Sequence, residues 1–284
     1  MTRGYLTFVQ NNSKTDYLNL AYLQALSLKV TNKINQYAVV VDKSTEALIT
    51  DKHRKVFDYV IPLPGEDEAR DYQWKMHNEW KALITSPFDE TIKVEADMIF
   101  TSNIDHWWDT MKVKDICFTG HIIDYTERVS RTREYRRVFD INQLPDIYAG
   151  FYYFKKSETA RELFSYAETI FKNWTYVKNY MLKSGEQEPA STDLVFSIAA
   201  KMLGTENCTL PGTVPTFVHM KNAVQGWSES TPWSEMVYTE FDGSNLTVGF
   251  HRQRVPFHYH LKSFARPEVI KNYESLYYHT QTAF

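Results

Sequence analysis

Cysteine is nearly absent from this chain. Its 284 residues include two, Cys117 and Cys208, far apart and in no partnering pattern, which excludes a disulfide framework and suits a reducing compartment. Long apolar runs are missing too: none approaches the roughly 18 residues that a membrane span requires. Met1 to Leu6 leads straight into a strand pattern with no apolar signal segment. The expected setting is therefore cytoplasmic, with no membrane partner, and the Asn-x-Ser/Thr triplets beginning at Asn11, Asn173, Asn207 and Asn245 carry no message there. Neither sign of charge prevails: 32 Lys and Arg against 35 Asp and Glu leave a net −3, which gives no global attraction to nucleic acid or to an anionic membrane. No repeat, low-complexity tract or linker interrupts the chain, so a single domain over residues 1–284 is expected.

Aromatic residues are abundant instead, at 15%, which fits a carbohydrate- or base-stacking cleft and equally a bulky core. Tyr5 to Val9 reads as a strand, followed by the polar loop Gln10 to Lys14. Asp16 to Leu28 has helical apolar spacing, with Thr15 or Asp16 as its cap. Tyr37 to Asp42 is an apolar strand closed by an acid, and Tyr59 to Ile61 is another, closed by Pro62. Glu68 to Ser86 reads as a helix, Asp115 to Gly120 and Ile147 to Phe154 as strands, and Ser157 to Lys172 and Thr192 to Met202 as helices. Beyond Phe217, short strands and loops are expected. Alternation of strand and helix predicts an α/β fold with a mainly parallel sheet.

The densest chemistry lies in Lys93 to Phe100. A strand running through it would put Val94, Ala96 and Met98 on one face and the carboxylates of Glu95 and Asp97 on the other. Unpaired, these acids would repel and raise each other's pKa. A hard divalent cation with oxygen ligands, Mn²⁺ or Mg²⁺, removes the conflict. Ile104-Asp105-His106-Trp107-Trp108 follows.

From Ile92 to Asp109 the chain resembles the metal strand of nucleotide-sugar glycosyltransferases of the GT-A (Rossmann-like) fold. The likeness is to family 8, the glycogenin and lipopolysaccharide-galactosyltransferase group, with Glu95 in place of the first acid of Asp-x-Asp. The resemblance runs from Gly4 to about Pro267. It implies a nucleotide-binding half over about 1–110, a donor-sugar and acceptor half over about 111–284, and a UDP-sugar as donor. By position it makes Gln10, Asn11, Asp16, Tyr17 and Asp42 nucleoside-binding residues, although Asn11 and Asp16 also suit a turn and a helix cap. It asks for a third, histidine ligand near the C-terminus and a lysine on the diphosphate. Pro256-Phe257-His258-Tyr259-His260-Leu261-Lys262 offers His258, His260 and Lys262, with His258 and His260 on one strand face, and Val218-His219-Met220-Lys221 is a rival. A cation on the preceding helix would be Lys75 or Lys81. Tyr148-Ala149-Gly150 stands where the family has Asn-Ala-Gly, and Ser191-Thr192-Asp193 where it has Asp-Gln-Asp. Asp97 and Asp193 are then the catalytic carboxylates, the first through the cation and the second through donor-sugar hydroxyls or, alternatively, as a helix cap. The departures imply a donor sugar other than glucose or galactose.

Five arginines between Arg128 and Arg137 (Arg128, Arg131, Arg133, Arg136, Arg137) form a local basic cluster. It reads either as a solvated loop or as a contact for an anionic acceptor such as DNA. The opening Gly4 to Asn12 is also similar to glycosyltransferases encoded by tailed phages, for which hydroxymethylated DNA pyrimidines are one acceptor class and the host cytoplasm the setting. Two rivals are a nucleotide-sugar binder without catalysis and a nucleotidyltransferase. The second would want a glycine-rich basic loop, and Gln10 to Lys14 contains no glycine.

Overall fold

The computed structural model describes residues 1–130, 133–183 and 190–282. Its strands are β1 (Arg3–Val9), β2 (Tyr37–Val41), β3 (Tyr59–Pro62), β4 (Glu90–Val94), β5 (Met98–Ile99), β6 (Ile116–Thr119), β7 (Ile122–Ile123), β8 (Val129–Ser130), β9 (Tyr148–Lys155), β10 (Val218–His219), β11 (Thr239–Asp242), β12 (Asn245–Val248), β13 (His251–Arg252) and β14 (Phe257–His258). The central sheet has the order β3-β2-β1-β4-β9-β6. Its first four strands are parallel, and β9 runs against both β4 and β6. This is the α/β architecture with a mainly parallel, helix-flanked sheet that the strand-helix alternation predicts.

Every residue of β2 is buried, as a strand covered on both faces must be. Side chains alternate between two cores: Tyr37, Val39 and Val41 with Tyr5, Ile92 and Val94 on one face, Ala38 and Val40 with Leu6 and Phe154 on the other. The Tyr17–Thr31 and Pro267–Thr282 helices cover the first face, and the Glu158–Lys172 and Thr192–Leu203 helices the second. Asp16 caps the Tyr17–Thr31 helix, its Oδ1 accepting from the Asn19 N–H at 3.1 Å.

Two expectations need correction. The helix predicted over Glu68 to Ser86 is only a 3₁₀ turn, Glu79–Lys81, and one α-turn, Ala82–Thr85. Asp67 and Asn78 side chains take the backbone N–H groups of Ala69 and Glu68, at 3.0 and 3.2 Å, and so hold a folded loop in place of a helix. The C-terminal region also ends in a 16-residue helix, Pro267–Thr282, beyond the reach of the resemblance. Its signal is legible in retrospect: Pro267 in the first turn, then Val269, Ile270, Tyr273 and Tyr277 on one face. Tyr22 donates to Glu274 across its contact with the Tyr17–Thr31 helix at 3.0 Å. Among the described residues, no helix is long and apolar enough to cross a membrane.

A second sheet, β5-β14-β10-β7-β8, abuts the carboxyl end of β4. It pairs His258 with Met98 on one side and with His219 on the other.

Candidate active site

The strand carrying the two acids stops at Val94, and Glu95 to Asp97 form a turn before β5 resumes at Met98. The carboxylates therefore converge through a turn, which corrects the expected strand alternation. Three partners, Gly150, Gln24 and Tyr259, set that turn. The Glu95 N–H donates to the Gly150 carbonyl at 3.0 Å. Buried Gln24 donates its amide to the carbonyls of Glu95 and Met98, at 2.5 and 3.2 Å, while its Oε1 accepts from Thr7 and Tyr37. The Tyr259 N–H donates to the Asp97 carbonyl at 3.2 Å. Gln24 gave no signal in the sequence, because a polar residue on an apolar helix face has no motif of its own.

His258 Nε2 lies 3.2 Å from Glu95 Oε2 and 3.1 Å from Asp97 Oδ1, and Lys262 Nζ forms an ion pair with Asp97 Oδ2. Glu95, Asp97 and His258 offer one ligand atom each within 4.8 Å of one another. Nε2 of His258 is buried against the two carboxylates, and its Nδ1 is buried with no hydrogen-bond partner. Two carboxylate oxygens and an imidazole nitrogen around one point fit a divalent cation such as Mn²⁺ or Mg²⁺. Burial pushes the Asp97 carboxyl up, yet His258 and Lys262 more than offset it and hold the group well below the usual carboxylate range. Asp97 is thus paired, contrary to the mutual repulsion expected of two neighbouring acids.

His260 does not share a strand face with His258, because β14 ends at His258 and His260 adopts the left-handed region at φ 55°. Its ring stacks on His258 with centroids 3.5 Å apart and meets His219 at 4.2 Å. The structure therefore brings His258 to the acids and groups His260 with His219. Burial, followed by the neighbouring His258, holds His219 and His260 well below the ordinary imidazole value, so both are neutral near pH 7.

The acids open on a cleft of about 270 Å³ that Gln10, Tyr17, Lys75 and Lys262 also line. Lys262 Nζ lies 5.6 Å from the centre of the Tyr17 ring. Asn11 and Asp42 line an adjoining cleft, and Lys75 borders both. Asn11 and Asp16 are joined to each other at 2.9 Å, and Asn11 also accepts from the Leu18 N–H. Asp42 caps the Lys43–Glu46 turn; despite burial, donors on Thr45, Ser44 and Gln10 keep its carboxyl low. Lys75 Nζ donates to the carbonyls of Ala69 and Arg70 at 2.8 and 2.7 Å. Lys81 is buried against Glu66 and Asn78, so it is neither a solvated cation nor a cleft residue.

Ser191 caps the Thr192–Leu203 helix, which removes that role from Asp193. Asp193 instead accepts from the Ala149 N–H at 2.7 Å and from Arg136 at 3.0 Å, bordering a cleft with Tyr148 and Gly150. Arg136 is buried, with its guanidinium 3.6 Å from the centre of the Tyr148 ring and an N–H on the Ile147 carbonyl at 2.8 Å. Arg136 therefore belongs neither to a solvated loop nor to a basic acceptor surface, the two readings of the cluster; it anchors Asp193. Arg128 and Arg137 are exposed, Arg133 begins a helix, Arg133–Asn142, and Arg131 lies outside the described residues.

One pair escaped sequence reasoning altogether. Lys93, two residues before Glu95, is 1% exposed and forms an ion pair with Glu79, 8% exposed, in the lining of the cleft. Burial pushes the Glu79 carboxyl up to about 7 even though Lys93 pulls it down. A lysine inside a strand pattern reads as solvent-facing, and its partner comes from the misread Glu68 to Ser86 segment.

No protein-family model matches the chain, and no curated protein matches it either. Among solved structures it is similar to the glycosyltransferase GlyE of Streptococcus pneumoniae TIGR4, with TM-score 0.41 and 12% identity over 74% of this chain and 45% of that one. It is also similar to the galactosyltransferase LgtC in complex with donor and acceptor sugar analogues, with TM-score 0.42 and 13% identity over 62% of this chain and 66% of that one. A third likeness is to mouse xyloside xylosyltransferase 1, with TM-score 0.47 and 11% identity over 90% of this chain and 96% of that one. The chain spans less than half the length of the pneumococcal glycosyltransferase.

Proposed function

We propose that this protein is a GT-A-type glycosyltransferase that moves a sugar from a nucleoside diphosphate, UDP by preference, to an acceptor hydroxyl with the help of a divalent cation. The observation that carries the reading is the convergence of Glu95, Asp97, His258 and Lys262 at the carboxyl end of β4, beside a cleft large enough for part of a nucleotide. Glu95, Asp97 and His258 would hold Mn²⁺ or Mg²⁺. Bound there, the cation supplies Lewis-acid stabilisation and orientation of a diphosphate leaving group.

The chain's own residues do the rest. Lys262, paired with Asp97 and lining the same cleft, would add positive charge as the diphosphate leaving group departs. Tyr17 offers a ring against the nucleotide, and Gln10 and Asp42 offer an amide and a carboxylate to base or ribose. Asp193, fixed by Ala149 and Arg136, would offer its carboxylate to donor-sugar hydroxyls. An anionic acceptor is the reading for Arg128 and Arg137, with a hydroxymethylated pyrimidine of phage DNA as the specific candidate, in a host cytoplasm.

The test is turnover. Incubation with a panel of nucleotide sugars and Mn²⁺ should release nucleoside diphosphate from at least one UDP-sugar, and Asp97→Asn should abolish the release. Turnover that persists in Asp97→Asn rejects the reading.

A further inference from the structure

We infer that His219, His258 and His260 form a second, all-imidazole cation site, that it takes Zn²⁺, and that its occupancy opposes binding of the cation at Glu95 and Asp97. The three residues come from two pieces of chain that the fold deliberately juxtaposes. Parallel pairing of β10 with β14 sets His219 beside His258, and the left-handed turn at His260, φ 55°, folds its ring back over both. Ring centroids stand 3.5 Å apart for His258 and His260, 4.2 Å for His219 and His260, and 5.5 Å for His219 and His258. One nitrogen from each of the three lies within 4.8 Å of the others.

His219 Nδ1, His260 Nε2 and His258 Nδ1 are buried and make no hydrogen bond, whereas His258 Nε2 faces the carboxylates. A buried ring nitrogen without a partner is unfavourable, and three histidines with such nitrogens in one cluster share one explanation, a common cation that their rings turn to meet. A left-handed backbone at a non-glycine residue adds to it, since such conformations persist where surrounding structure enforces them, often at ligand clamps. Three imidazole nitrogens as the donor set favour a borderline metal over Mn²⁺ or Mg²⁺, and three histidines are an established donor set for Zn²⁺. Tyr148 and Phe217, whose ring centroids lie 6.3 and 6.1 Å from that of His219, line with the three histidines a cleft of about 130 Å³ through which an ion can enter.

His258 belongs to both groups, with Nε2 against the carboxylates. A neutral imidazole has one lone pair to give, its other nitrogen carrying the proton. It cannot serve two cations without becoming an imidazolate, so the two sites are antagonistic, and the antagonism is reciprocal.

The experiment uses the full chain stripped of metal with a chelator. Zn²⁺ is titrated against a chromophoric chelator, and Mn²⁺ is titrated by the electron paramagnetic resonance signal of the free ion. The expected result is one tight Zn²⁺ per chain, weakened about tenfold or more by His219→Ala, with Mn²⁺ affinity retained in that variant. Prior Zn²⁺ should weaken Mn²⁺ binding by about tenfold, and His219→Ala should remove this effect. Asp97→Asn should do the converse, losing Mn²⁺ and keeping Zn²⁺. If His219→Ala melts early, His219→Gln and His260→Gln carry the same comparison with side-chain volume largely kept. Zn²⁺ binding that survives all histidine variants but falls in Asp97→Asn would put the ion in the carboxylate site and overturn the inference, as would no Zn²⁺ binding at all. Zn²⁺ bound as expected with no Mn²⁺ binding would instead count against the transfer reading alone.

Discussion

Gly150 supports Glu95 at van der Waals range. Its carbonyl accepts the Glu95 N–H at 3.0 Å, and a β-carbon on it would stand 3.1 Å from Glu95 Oε2 and 3.2 Å from the Met98 methyl. Both gaps are tighter than ordinary carbon contacts, so glycine here leaves the acid the space to turn towards His258.

Gly150→Ala should therefore displace the Glu95 carboxylate while leaving the sheet intact. The expected outcome is a loss of roughly tenfold in Mn²⁺ affinity, the scale of a disturbed supporting residue. Circular dichroism should remain that of the wild type. Unchanged Mn²⁺ affinity would mean that Glu95 is not a ligand.

Asp97 links site and stability. Its carboxyl sits lower in the folded chain than the unfolded value of about 3.9, so its ion pairs stabilise the fold above that pH and stop doing so as pH falls through the folded value. Asp97→Asn should lower stability at pH 7 by roughly 1–3 kcal/mol, by removing the partner of Lys262. Urea unfolding at pH 7 and in acid checks this, with the gap between wild type and variant closing in acid. A more stable variant would restore the picture of two repelling acids.

How much of this was legible in the sequence depends on the kind of signal. The parallel strands were, because β2 and its neighbours are continuous apolar runs, and so were the Glu158–Lys172 and Thr192–Leu203 helices through their apolar spacing, although the cap of the second is Ser191 and not Asp193. Asp97, Glu95, His258 and Lys262 stood out by motif, and the fold brings them together. His260 was placed on the wrong side of its neighbour because alternation assumes a strand that here ends one residue after Phe257. Arg136 reads as a surface charge in any linear inspection, and only the packing of Tyr148 and Asp193 around it reveals otherwise. Gln24, Glu79 and Lys93 were invisible for the same reason: a buried polar group is defined by its distant partner.

Glu79 gives a pH dependence of opposite sign. Its carboxyl is raised to about 7 in the fold, above the unfolded value near ~4.3, so the folded chain holds more protons across that interval. The contribution of Glu79 to stability accordingly declines as pH rises from about 4.3 to about 7. Urea unfolding of wild type and Glu79→Gln across this window should show a steeper decline with pH in the wild type. Parallel curves would place the Glu79 proton elsewhere.

The central claim is that the carboxylates, His258 and Lys262 make one cation-dependent diphosphate site. Thermal unfolding with saturating UDP, in Mn²⁺ and separately in EDTA, measures it directly. At about one hundred times its dissociation constant, UDP should add about 2.7 kcal/mol of stability in Mn²⁺. In EDTA, and in Asp97→Asn with Mn²⁺, that gain should vanish. A UDP-induced shift of equal size in EDTA would contradict the account.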